Sequence, residues 1–303
     1  MTTIEIQGVK HTYELTPPTP ENPVIVFIHG WLLSRRYWLP LIEQLQPDYQ
    51  CLSYDLRGFG DSQLFSQTRG VLDKPTFSYT PASYAEDLAL LLQHLKIDQA
   101  WLVGHSLGGT IALQAADQLP EQVKGVICVN AGGGIYLKEE FEKFRSAGEQ
   151  IVKFRPRWLA AVPLLDLLFS QTQVARPIAR HWGRQRLIDF VGAAPEAALG
   201  ALLDSTTEAE VHRLPQLVSR LKQPVYFLAG TEDRVMEPQY VRYLASFHWM
   251  FKQGDGNVIE IPNCGHLAMV EQTEAIASHL LTVVGREGEG GKGNGERGTG
   301  NRE

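Results

Sequence analysis

The chain of 303 residues has three cysteines, four methionines and no apolar stretch long enough to span a bilayer. Each scarcity removes a class of protein. Cys51, Cys128 and Cys264 are widely spaced, with no C-x-x-C pair and no cysteine–histidine cluster, so neither a disulfide framework nor a zinc site is expected. They read as small buried hydrophobes. The longest apolar run, 158–169, contains Pro163 and Asp166 and falls short of the ~20 residues that a membrane helix needs. The opening residues, Met1-Thr2-Thr3-Ile4-Glu5-Ile6, alternate as a strand does and lack the basic start and apolar stretch of a secretory signal, so a reducing, cytoplasmic setting is expected. Basic residues are not in excess either. Lys and Arg number 28 against 34 Asp and Glu, a formal charge of -6, which argues against nucleic acid as the main partner. No phosphate-binding loop or metal-ligand cluster is present, so no cofactor or metal is expected.

What remains is ordinary globular composition, 44% hydrophobic and 20% charged, in a length that suits one large α/β domain with an insertion. Candidate strands at 3–9, 11–15, 24–29, 50–54, 100–103, 125–129, 225–228 and 258–261 alternate with helical segments. From the third onward most are continuous apolar runs, the mark of parallel strands buried on both faces. The first two, joined at Val9-Lys10-His11, read as an antiparallel hairpin at the sheet edge. The fold class is therefore α/β, a mostly parallel, eight-stranded, doubly wound sheet. Thr80-Pro81-Ala82-Ser83 opens a helix whose Leu88, Leu91, Leu92 and Leu95 share one face. Between 129 and 225 the alternation stops and helices broken at Pro156, Pro163, Pro177 and Pro195 take over. This gives a core of residues 1–132 and 212–284, a helical cap inserted at 133–211, and a tail at 285–303. The tail has eight glycines, cancelling charges and no apolar residue, so it is expected to be disordered.

Chemistry is concentrated at Gly104-His105-Ser106-Leu107-Gly108, which follows the apolar run 100–103 and precedes a small-residue helix. Strand, sharp turn and helix in that order form a nucleophile elbow. A serine hydroxyl is a weak nucleophile, and it needs exposure at a strained turn, a nearby base and N–H donors for the developing oxyanion. The remaining members should follow in chain order at the ends of later strands. Asp233 lies in the turn Ala229-Gly230-Thr231-Glu232-Asp233, with Glu232 a close competitor that the G-x-x-D spacing disfavours. His266 lies in Pro262-Asn263-Cys264-Gly265-His266, after the last strand. Ser106 is thus the expected nucleophile, His266 its base and Asp233 the carboxylate that orients the ring. The oxyanion donors are expected to be the backbone N–H of Leu107 and, from His29-Gly30-Trp31, that of Trp31.

The cap carries a charge of its own. From 153 to 186 it holds Lys153, Arg155, Arg157, Arg176, Arg180, Arg184 and Arg186 against the single acid Asp166, together with Phe154, Trp158, Phe169 and Trp182. Such a face either meets an anionic membrane and admits a lipid-like substrate, or is a solvated helix face over a core face.

Taken together, these residues resemble the α/β-hydrolase superfamily over nearly the whole chain before the tail. Asp55-Leu56-Arg57-Gly58-Phe59-Gly60-Asp61-Ser62 looks like that superfamily's structural D-x-R-G-x-G-x-S turn. A serine at the elbow departs from epoxide hydrolases and haloalkane dehalogenases, which hold aspartate. Within the superfamily, Asn130-Ala131-Gly132-Gly133-Gly134-Ile135-Tyr136-Leu137-Lys138-Glu139-Glu140-Phe141, continuing to Phe154-Arg155-Pro156-Arg157, resembles cyanobacterial and chloroplast chlorophyll dephytylase-type proteins. That resemblance implies hydrolysis of chlorophyll to chlorophyllide and phytol, with a hydrophobic ester as the small-molecule partner and peripheral contact of the cap with the thylakoid surface. A second enzyme family resembles the chain in its HG turn, D-x-R-G-x-G-x-S and triad: a pyruvate-eliminating synthase of menaquinone or phylloquinone biosynthesis. Its elbow is typically S-x-G-G-R, whereas Thr110 follows Gly109 here. The third reading is a non-catalytic module that binds a hydrophobic ligand. Oligomeric state is not legible.

Overall fold

The computed structural model describes residues 1–19, 22–62, 77–131, 138–254 and 256–290. Eight strands form one sheet: β1 (Thr2–Ile6), β2 (Val9–Leu15), β3 (Val24–Ile28), β4 (Cys51–Tyr54), β5 (Ala100–His105), β6 (Val123–Val129), β7 (Val225–Gly230) and β8 (Val258–Ile261). Their order across the sheet is β1-β2-β4-β3-β5-β6-β7-β8. β2 runs antiparallel to β1 and β4, and every other pairing is parallel. The expected doubly wound α/β architecture is what forms.

Side-chain alternation explains why both faces are covered. On β3, Val26 and Ile28 face a layer containing Leu88, Leu91 and Leu92 of the helix Pro81–Leu95 and Ile111 and Ala112 of the helix Leu107–Gln118. Ile25 and Phe27 face the opposite layer, with Leu41 and Leu45 of the helix Leu39–Leu45 and Ile276 and Leu280 of the helix Thr273–Gly290. A strand buried on both sides has no polar position to spare. Thr80 caps the helix Pro81–Leu95, its side chain accepting from the Ser83 N–H, with Pro81 at the first turn. All three cysteines are free and buried.

Three boundaries differ from expectation. The first hairpin turns at Gln7-Gly8, with φ of 52° and 75°, so that Ile6 pairs Val9 and the strand resumes two residues earlier. Positive φ at both turn residues matches the twist of the flanking strands, and glycine adopts it freely. Pro195 begins the helix Pro195–Ser205 instead of breaking one, because a missing N–H is harmless at a first turn. The last helix continues to Gly290, into the segment expected to be disordered from 285. Once Leu280, Val283 and Val284 anchor it, each further helical residue adds one hydrogen bond to an existing ladder. Residues 291–303 lie outside the described residues, as do 132–137 of the stretch that carries the dephytylase resemblance.

Between β6 and β7 the helical segments Lys138–Lys153, Arg157–Ala161, Leu165–Phe169, Arg180–Gly192, Pro195–Ser205 and Glu208–Arg220 follow one another. Beneath them the D-x-R-G-x-G-x-S turn is held by a buried ion network. Arg35, 1% exposed, receives Asp55 at its backbone N–H (2.7 Å) and at its guanidinium, and also pairs with Asp61 (2.8 Å) and Glu14 (3.0 Å). Asp55 further accepts from the Asp61 N–H at 2.8 Å, so one carboxylate ties the loops after β3 and β4 together. Removing one partner of such a pair strands the other charge in the interior. Asp55→Ala is therefore expected to lower stability by about 3 kcal/mol, read as a fall in the urea midpoint, with Asp55→Asn losing less.

Candidate active site

β5 ends in Gly104-His105, and Ser106 turns the chain into the helix Leu107–Gln118 at φ 51° and ψ -117°. Only close contact of strand and helix permits that turn. A Cβ on Gly104 would stand 2.2 Å from the Gly108 carbonyl oxygen, and one on Gly108 would stand 2.2 Å from that of Ile28. The two glycines of the elbow are therefore steric requirements. The Ser106 N–H donates to the Val129 carbonyl (3.1 Å) and its own carbonyl accepts from Gly109 (2.9 Å), which fixes the turn at both ends.

The acid and the base meet at the same edge. His266 Nδ1 lies 2.8 Å from Asp233 Oδ2, with Asp233 2% exposed. The other Asp233 oxygen accepts the N–H groups of Val235 (2.8 Å) and Met236 (3.0 Å), so the carboxylate cannot rotate freely. Glu232, its competitor, is exposed. A proton held between Nδ1 and the carboxylate leaves Nε2 as the basic position of the ring. Ser106, His266, Trp31 and Leu107 all line one cavity of about 490 Å³. Among the described residues the His266 ring bonds to Asp233 and not to the Ser106 hydroxyl. The Trp31 indole N–H donates to the Ala198 carbonyl at 2.8 Å, anchoring the loop after β3 to a cap helix. Its backbone N–H and that of Leu107 have no acceptor among the described residues.

Four further residues hold this edge, and the sequence alone did not reveal them. Asn130, at the end of β6, donates to the carbonyls of Gly265 (2.6 Å) and His266 (2.9 Å) and accepts from the Gly230 N–H (2.7 Å). One amide thereby locks the acid loop to the histidine loop. Glu271 accepts from the N–H groups of Ala175, Gly265 and Leu267, closing the histidine loop from the other side. His105 Nε2 donates to the His266 carbonyl at 2.8 Å, and burial, reinforced by the neighbouring His266, pulls its pKa well down, keeping it neutral. Arg186 comes from the cap, 7% exposed, and donates to the carbonyls of Phe169 and Thr172 and to Gln173 Oε1 (2.9 Å). It lines the cavity, and among the described residues no carboxylate lies within ion-pair distance of it. The Gln173 carbonyl in turn accepts from the His266 N–H at 2.8 Å. Nearby His29 accepts from the Leu56 N–H at 3.0 Å and so serves the loop junction. A long-range bond to backbone leaves no motif behind; only the position of Asn130 at a strand end was a usable signal.

Comparison with known proteins agrees with this fold. Residues 23–273 match the family model described as alpha/beta hydrolase fold. The chain is 26% identical over 286 residues to the uncharacterized hydrolase YugF of Bacillus subtilis, an overlap of 92% of this chain and 96% of that protein. It is 29% identical over 274 residues to 2-succinyl-6-hydroxy-2,4-cyclohexadiene-1-carboxylate synthase of Citrobacter koseri, covering 88% and 95% respectively. Among solved structures it is similar to a thermophilic esterase from Thermogutta terrifontis, with a TM-score of 0.71, 23% identity and 94% and 97% coverage.

Cap and core also meet at a buried acid. Asp189 of the helix Arg180–Gly192 accepts from the Ser34 hydroxyl (2.9 Å) and from Gln185 (2.9 Å), and burial raises its pKa from 3.8 to about 7. A folded-state pKa above the unfolded one means that the folded chain binds the extra proton. The resulting stability is full below about pH 4 and is lost as the pH rises through about 7. Asn mimics the neutral acid, so thermal unfolding should find wild type and Asp189→Asn close at low pH, wild type falling below the variant across that window by up to about 4 kcal/mol, and the gap constant above it.

Proposed function

The chain belongs to the alpha/beta hydrolase fold family, and we propose that it is a serine carboxylic-ester hydrolase acting on hydrophobic esters through an acyl-enzyme at Ser106. The observation that carries this reading is the 2.8 Å hydrogen bond from His266 to Asp233 at the wall of the cavity that Ser106 also lines. His266 Nε2 takes the Ser106 proton as the hydroxyl attacks the ester carbonyl. The N–H groups of Trp31 and Leu107 receive the negative oxygen, a contribution of about 3 kcal/mol per donor. His266 then protonates the departing alcohol, and the same ring activates the water that releases the acid. Leu32, Ile151, Phe169, Phe190, Leu202 and Leu214 line the cavity, so specificity follows chain length at about 0.8 kcal/mol per buried methylene. The specific reaction proposed is dephytylation of chlorophyll, supported by the resemblance at 130–141 and 154–157 and by an apolar lining that suits the phytyl chain better than the broad ring.

One observation favours a second reading. Arg186 places in the cavity wall a guanidinium that forms no ion pair among the described residues, a group suited to a substrate carboxylate. The pyruvate-eliminating synthase reaction needs such a group, and its usual arginine is missing after the elbow here. Incubation with its cyclohexene carboxylate substrate separates the two: pyruvate release would defeat the esterase.

Ser106→Ala is expected to abolish both fluorophosphonate labelling and hydrolysis of p-nitrophenyl esters, and Asp233→Asn to lower kcat by about 10⁴-fold. Wild-type protein that takes no label would favour the reading as a binder of a hydrophobic ligand. With chlorophyll a the expected products are chlorophyllide and phytol, measured by chromatography; pheophytin a run in parallel tests whether the central metal matters.

A further inference from the structure

Seven of the twelve large apolar side chains that are exposed among the described residues fall between 151 and 188, the four most exposed after Met1 among them. Phe154 is 76% exposed, Trp158 65%, Leu164 61% and Leu168 56%, and Ile151 and Ile188 are exposed beside them. Cap contacts draw their segments together: Arg184 donates to the Ala160 carbonyl, Arg155 to those of Phe190 and Ala193, and Arg180 pairs with Asp166. A water-facing surface of this kind on a folded chain marks a place where something binds.

Charge says what. Between 154 and 188 every exposed charged residue, Arg157, Arg176, Arg180 and Arg184, is cationic. Asp166, the acid of that stretch, is buried and paired with Arg180, and on the helix that carries Ile151 the carboxylate of Glu149 pairs with Lys153. The chain as a whole carries -6. A cationic face on an acidic protein seeks an anionic partner, and protruding rings among scattered guanidinium groups ask for one without fixed register. A lipid surface has that character: rings enter the headgroup boundary while arginines reach the phosphates. A protein partner would have to match each guanidinium in place.

Ile151 joins this face to the interior. It is exposed on the patch and also lines the cavity that holds Ser106, and Phe169, next to exposed Leu168, lines the cavity too. We propose that the cap face formed by Ile151, Phe154, Trp158, Leu164, Leu168 and Ile188, with its arginines, seats the protein on an anionic bilayer and opens the cavity toward it at Ile151. Attachment is peripheral, since no helix among the described residues is long and apolar enough to cross a membrane. Delivery of a hydrophobic ester from the bilayer rests on the esterase reading; the docking itself does not.

The test is co-sedimentation of the full chain with vesicles of phosphatidylcholine alone and of phosphatidylcholine mixed equally with phosphatidylglycerol. Wild type should sediment with the mixed vesicles only, and high salt should release it. The double variant Phe154→Ser, Trp158→Ser should bind at least about tenfold more weakly, and Arg157→Glu about fivefold more weakly. Neither Phe154 nor Trp158 lines the cavity, so hydrolysis of a short soluble p-nitrophenyl ester should stay unchanged and report an intact fold. No sedimentation, equal binding to neutral vesicles, or binding untouched by the double variant overturns the proposal. So does a dimer in solution that those two substitutions disperse, which would make the face a protein interface. Vesicle binding by a chain that hydrolyses no ester upholds the docking surface and overturns the esterase instead.

Discussion

Parallel pairing from β4 across to β8 sends each of those strands out at the same edge of the sheet, and the proposed chemistry depends on that constraint. Ser106 follows β5, Asp233 follows β7 and His266 follows β8, so residues separated by up to 160 positions reach one edge, Asp233 bonded to His266 and Ser106 on the wall of the same cavity as His266. Convergence alone gives proximity, not aim. Aim comes from buried polar groups with no charge to lose: the Asn130 amide, the His105 ring and the Gln173 carbonyl all fasten the backbone around His266. Because each of these partners is backbone, the loop is held as a unit and the imidazole inherits its position from it.

The cap takes part in this arrangement. Gln173 belongs to it, and Arg186 braces the turn that contains Gln173, so the histidine loop is supported from the insertion as well as from the sheet. Asp189 on Ser34 and Ala198 under Trp31 make two further connections, both to the loop after β3. The insertion is therefore stitched to the core at the loop after β3 as well as at the histidine loop. Between the stitches its outer surface departs from the rest of the molecule in both polarity and charge.

Much of this was legible in the chain. Continuous apolar runs revealed a doubly wound sheet because a strand covered on both faces has no other pattern available. The elbow was legible because its two glycines answer a steric need that depends on sequence neighbours, and Asp233 over Glu232 because adjacent side chains on a turn point apart. What escaped is of a different physical kind. Asn130 and Arg186 donate to main-chain carbonyls and Glu271 accepts from main-chain N–H groups, and those groups are identical at every residue, so residue type alone does not announce the bonds. The first hairpin was displaced by two residues because Val9 and His11 are both buried and mimic a turn boundary, while the glycine that makes the turn lies just before them. The end of the last helix was misjudged for a related reason: composition describes isolated segments, and 285–290 is not isolated from the anchored turn before it.

Eight non-glycine residues among those described hold a positive φ, a conformation that disfavours side chains by about 1 to 3 kcal/mol each. They are not spread evenly. Leu32, Ser106 and Gln173 line the cavity, and Asn130 grips the loop beside it. A backbone shaped only for stability would place glycine at such positions and relax. Gln7 turns the first hairpin and Lys96 ends a helix, where such geometry is routine, but half of the eight are gathered around one small volume, so tension in the main chain is concentrated beside the cavity.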